Sequence, residues 1–155
     1  MIRRLDPQTD EHLLREVYEW DKDYPRWFQD LEKVSHWPLE QFLAEAPDRA
    51  DLGVFDDELV ALISIIRRAP YVYEGHIWAK RGSRVESLAS GVSWVIERLV
   101  EDLKMRLGYV WIAKRNLPIK QMCIMANLKF DGSTVIDGES HGKPIEWQRF
   151  STSHG

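Results

Sequence analysis

The sequence predicts an α/β (α+β) domain on a mixed, mostly antiparallel sheet, and three stretches carry that prediction. Residues 52–67, LGVFDDELVALISIIR, read as a hairpin turning at Asp56-Asp57. Residues 74–113 read as strand, basic turn, long helix and strand, an order that makes the two strands parallel neighbours. Residues 130–136 and 144–150 read as a closing antiparallel pair. A chain of 155 residues suits one domain, 1–155, with a sizeable core.

Taken in order, residues 1–5 form a short strand ending at Asp6-Pro7. Asp10 is placed to cap a helix through His12, Leu13, Leu14, Val17, Tyr18 and Trp20, whose apolar spacing is helical. Residues 21–38 are irregular, broken by Pro25 and Pro38, with helical turns such as 26–33 between them. They mix Trp27 and Trp37 with carboxylates, which suits either the wall of a cleft for a cationic amine or aromatics capping the core's edge. A further helix over 39–46 should end before Pro47. Residues 59–67 are apolar on both faces apart from Ser64, the mark of an interior strand.

On the next strand Val72, Glu74, His76, Trp78 and Lys80 share a face. Gly75 signals a bulge or a close backbone approach. A carboxylate and an imidazole on a core strand need partners; they form either a mutually satisfied pair or a general base at a cleft mouth. Leu88, Val92, Val95, Ile96, Leu99, Leu103 and Leu107 then recur at helical spacing, and Gly108 is the expected stop. A strand at 109–113 follows. Pro118 sits in the first turn of a short helix running to about Asn127, with a stripe of Ile119, Met122, Cys123 and Ala126. The loop DGESHGK, 137–143, reads as polar and mobile.

Net charge is −4 with both signs interspersed, which argues against a general nucleic-acid binder. No apolar run reaches membrane length, and the N-terminus lacks a signal-peptide pattern. Cys123 is the single cysteine, so no internal disulfide forms; a reducing, cytoplasmic location and a buried filler role are expected. The turn Lys80-Arg81-Gly82-Ser83-Arg84 leads a strand into a helix N-terminus. Unpartnered N–H groups and the helix dipole there favour an anion, so the turn is either a phosphate site or a solvated basic turn. Ser83 and Glu86 also fit a capping box, which leaves two helix starts open, at Ser83 or near Ser87.

At that turn Arg84-Val85-Glu86-Ser87-Leu88-Ala89 fits the pattern Arg/Gln-x-x-Gly-x-Gly/Ala, with Ser87 at the central glycine. Asn116 follows the next strand, Leu128-Lys129-Phe130 stands near Leu-Gly-Phe, and DDELVALISI makes the hairpin. In this order and over nearly the whole chain, these features resemble the GNAT family of acyl-CoA N-acyltransferases. The resemblance implies six or seven strands with helices on both faces. It implies acetyl transfer from acetyl-CoA to a primary amine of a small molecule or peptide, by direct attack and without a metal. Glu74 is the implied base, with His76 the runner-up. The backbone near Trp78 and Ala79 would hold the pantetheine arm and polarise the thioester. The N–H groups of Arg84, Val85, Ser87, Leu88 and Ala89 would hold the diphosphate, and Asn116 would line the site. Met125 stands where many members carry the tyrosine that protonates the thiolate. The family often dimerises, so a homodimer is an expectation. Two other readings stay open: a catalytically inactive GNAT-like binding or assembly module, and an unrelated phosphate ligand such as a nucleotide on the basic turn.

Overall fold

The computed structural model describes residues 1–23, 43–80, 82–140 and 142–152. Trp27, Trp37, the turns over 26–33, the start of the 39–46 helix, Arg81 and His141 lie outside these.

Among the described residues seven strands form one sheet: β1 (Ile2–Arg4), β2 (Ala50–Asp56), β3 (Glu58–Ala69), β4 (Val72–Ala79), β5 (Leu107–Ala113), β6 (Leu128–Ser140) and β7 (Lys143–Thr152). Their spatial order is β1-β2-β3-β4-β5-β7-β6. Every neighbouring pair is antiparallel except β4–β5, the parallel pair that the intervening helix requires. Helix α1 (Glu11–Asp23) packs on one face, while α2 (Val85–Leu103) and α3 (Leu117–Met125) pack on the other.

β3 shows why its residues are apolar on both sides. Leu62 is fully buried with Leu14, Val17 and Trp20 against α1, whereas Ala61 and Ile63 join Val92 and Val95 of α2. Burial of a Leu or Val side chain contributes about 1.5–3 kcal/mol, so this strand anchors both layers. The α3 stripe is buried as expected, with Met122 and Cys123 at 0% exposure.

Four expectations change. The Asp10 carboxylate does not cap α1: Arg3 and the Asp6 N–H take it, while the Asp10 carbonyl accepts from Leu13 and Leu14. The helix expected over 39–46 ends before Pro47 but already at Ala44, and Pro47 itself lies within a 3-10 turn, Ala46–Asp48. α2 stops at Lys104, which adopts the left-handed conformation (φ 57) and sends its N–H to the Leu99 carbonyl. Gly108 is instead a strand residue under Met105, whose sulfur would stand 2.8 Å from an added Cβ. The 137–143 stretch is mostly ladder, with Glu139 paired to Pro144 and Ser140 to Lys143. Register shifts between Phe130 and Thr134 and between Ile136 and Glu139 take up the glycines Gly132 (φ 89) and Gly138 (φ 75).

Candidate active site

The parallel β4–β5 ladder is short. It pairs Val72 with Leu107, Tyr73 with Gly108 and Glu74 with Tyr109, then ends. Beyond that rung the strands run on without pairing to each other, which leaves a V-shaped opening with its vertex at Glu74 and Tyr109. The Lys80 N–H donates to the Val60 carbonyl at 2.9 Å and so fixes the phase of β4. By alternation, the backbone groups of Glu74, His76 and Trp78 turn towards β3, and those of Gly75, Ile77 and Ala79 turn into the opening. Of the two residues expected to hold an extended arm, Ala79 therefore presents its backbone to the cleft and Trp78 does not. Gly75 makes no bulge. It is a close approach: an added Cβ would meet Val110 Cγ1 at 3.1 Å.

Glu74 and His76 come together. His76 Nε2 lies 3.3 Å from Glu74 Oε2, and the Arg68 guanidinium donates to the same oxygen through Nε at 3.1 Å and through Nη2. Glu74 is buried, while the His76 and Arg68 side chains are 41% and 51% exposed. The hydrogen bond from His76, aided by Arg68, outweighs burial and holds the Glu74 carboxyl at about 2. A carboxylate held that firmly is a weak base. It orients its neighbours instead, and it raises the pKa of Arg68.

Sequence reasoning missed three features here. Arg68 stands past the end of the predicted strand. Tyr109 reaches the Arg68–Glu74 pair because β5 pairs beside Glu74, and Arg149 stacks over its ring at 5.2 Å. Across β2, β3 and β4, Asp51, Ser64 and His76 stand in register on one row. Ser64 Oγ donates to Asp51 Oδ1 at 2.6 Å, and Arg49 Nε donates to both Asp51 oxygens at 2.8 and 3.0 Å, all three residues being buried. Ser64, the one polar residue in the apolar run 59–66, was the available signal for this row.

α2 starts at Val85 with Arg84 as its N-cap and no side chain capping it. Ser83 is not that cap; its hydroxyl donates to the carbonyls of Val60 and Lys80. No capping box forms, and the exposed Glu86 lies in the first turn. The Leu88 N–H is spent on the Arg84 carbonyl at 3.1 Å, and Leu88 and Ala89 pack into the core. The N–H groups of Val85, Glu86 and Ser87 are the helix's open donors. Arg84 is exposed beside them, and Lys80 pairs with Glu58 at 2.8 Å. Asn116 is the N-cap of α3 and makes no capping bond with its side chain. Met125 is exposed at the end of α3. Burial pushes the Cys123 thiol up to about 12, so it is no acid for this site.

No family model matches the sequence, and no curated protein matches it. The fold, however, is shared with solved structures. A variant of the spermidine N-acetyltransferase SpeG from Vibrio cholerae superposes with a TM-score of 0.75 at 13% identity, covering 98% of this chain and 94% of that one. The chain has the GNAT fold. RimL, a ribosomal alpha-N-protein acetyltransferase solved in complex with coenzyme A, superposes at 0.74 with 11% identity, covering 97% and 91%. In this GNAT fold the short β4–β5 ladder, the α2 N-terminus and the Glu74–His76 pair fall in one region by chain connectivity.

Proposed function

We propose that this chain transfers an acyl group, acetyl in the simplest case, from acyl-CoA to a primary amine. The observation that carries the proposal is the opening between β4 and β5, which leads at the end of β4 to an uncapped helix N-terminus. Such an opening accepts an extended arm as an added strand, paired through the outward backbone groups of Ile77 and Ala79. The open donors at Val85, Glu86 and Ser87 then take the diphosphate, with Arg84 adding charge. The coenzyme A complex of RimL, which shares the fold, supports this use of it.

His76 acts as base in this reading. Its half-exposed imidazole takes the proton of the incoming ammonium, and Glu74 stabilises the imidazolium that results. The amine nitrogen attacks the thioester carbon, the oxyanion gathers charge against the outward N–H groups of β4, and the C–S bond breaks. Tyr109 supplies a phenol on the Glu74 face at the vertex and is the proposed proton donor to the thiolate, a role closed to Met125. The substrate class is a primary amine of a small molecule or peptide, and the site calls for no metal.

The test is thiol release from acetyl-CoA over a panel of amines, with Glu74→Gln and His76→Gln beside the parent. Turnover should fall about 10²–10⁴-fold for His76→Gln, the usual contribution of a positioned base, with CoA affinity nearly unchanged in both. Undiminished turnover of His76→Gln would remove that residue from the chemistry.

A further inference from the structure

Arg149 is fixed in place with one edge of its guanidinium left open. It pairs across the ladder with Trp111, and its guanidinium lies over the Tyr109 ring at 5.2 Å. Its Nε donates to Asp131 Oδ2, and Asp131 is held in turn by the Ser133 N–H, which its Oδ1 accepts at 2.9 Å. The irregularity that carries Asp131 there is built into β6. Between Phe130 and Thr134, three residues face Arg149 alone, and Gly132 (φ 89) turns the chain. This arrangement uses Nε only. Nη1 and Nη2 of Arg149 make no hydrogen bond among the described residues, and the side chain is partly open to solvent. That free edge offers two parallel N–H donors, which match the two oxygens of a carboxylate.

We infer that Arg149 binds a carboxylate of the acyl acceptor, so that the amine substrate is a small amino acid. The inference rests on the acyl-transfer reading above, which sets the amine at His76. Register supplies the second point. His76 and Trp111 each stand two residues past the last β4–β5 rung, and Trp111 pairs with Arg149. Base, indole and guanidinium therefore follow one another on successive strands, on the sheet face that also carries Glu74 and Tyr109. Paired strands lie about 4.8 Å apart, so an amine at His76 and an anion at Arg149 are the two ends of a small molecule, with Trp111 beneath the carbons that join them. Arg68, on the same face, does not compete for the anion, because its Nε and Nη2 are taken by Glu74. A phosphate would bring a second negative charge up to Asp131; a carboxylate brings one and is satisfied by the two open donors.

The experiment is thiol release from acetyl-CoA by the intact chain with matched acceptors: β-alanine beside ethylamine, γ-aminobutyrate beside propylamine, and phenylalanine beside phenethylamine. The members of each pair differ by the carboxylate alone, and the readout is the ratio of their kcat/KM values. A charge-assisted, bidentate contact should raise that ratio about 10–100-fold in the pair whose length fits. Arg149→Gln should lower it by the same factor, and comparing parent and variant on the same pair cancels differences in amine basicity. Arg149→Lys keeps the charge but loses the fork, so it should lower the ratio by at least about fivefold, and it serves should the first variant fail to fold. A ratio that is the same in parent and variants, with thiol released from the plain amines, overturns the assignment of Arg149 alone. Thiol release with none of the acceptors overturns the acyl-transfer reading and this inference with it.

Discussion

Glu74→Gln removes one charge from a linked set of three side chains, and the structure sets the size and pH dependence of the loss. The Glu74 carboxyl lies at about 2 in the folded chain against an ordinary 4.5. At ~1.4 kcal/mol per pH unit, a gap of about 2.5 has a sheltered limit of about 3 kcal/mol. The partners are not sheltered, with Arg68 51% and His76 41% exposed, and solvent screening reduces the contribution to about 1–2 kcal/mol. Because the folded value lies below the unfolded one, this stability is complete above pH 4.5 and is lost as pH falls through about 2. Urea unfolding of the parent and Glu74→Gln at pH 7 and at about pH 3 measures it. The variant should be less stable by about 1–2 kcal/mol at pH 7, and the difference should roughly halve near pH 3. A difference of the same size at both pH values, or none at pH 7, would refute the assignment of Glu74 as a buried, ion-paired carboxylate.

Three further outcomes follow from single contacts. Glu86→Gln removes a carboxylate from the first turn of α2, so CoA should bind severalfold more tightly at low salt, with the gain shrinking at high salt; titration at two ionic strengths checks this. Asp51→Ala removes the carboxylate that the buried Arg49 guanidinium and the Ser64 hydroxyl donate to, and should destabilise the fold by about 3–5 kcal/mol in chemical denaturation. Met122→Ala empties a fully buried site under α3 and should cost about 2–5 kcal/mol without changing CoA affinity.

Where burial leaves a periodic trace, the sequence was legible. The two-sided apolar run of β3, the α2 stripe and the parallel β4–β5 pair all stand as the pattern required. Helix ends were less so, because local chemistry competes for the capping groups. Asp10 was drawn off by Arg3, Ser83 turned back to the Val60 and Lys80 carbonyls, and Lys104 took the left-handed position that a glycine was expected to fill. The candidate site was legible as a face and not as a network. Alternation set Glu74 and His76 side by side, but the Arg68 and Tyr109 contacts depend on cross-strand register, which no local window encodes. The row of Asp51, Ser64 and His76 was hidden for the same reason, since a register shift after Val54 alters the hairpin's count.

The most direct test of the central claim is thermal unfolding with acetyl-CoA, with ATP as the control. Acetyl-CoA at ~100 times its Kd should stabilise the fold by about 2.7 kcal/mol, raising Tm by about 5–10 °C, while ATP leaves it in place. No shift at millimolar acetyl-CoA would contradict the account: the opening between β4 and β5 would then not be an acyl-CoA site, and the GNAT fold would serve here as a binding or assembly module.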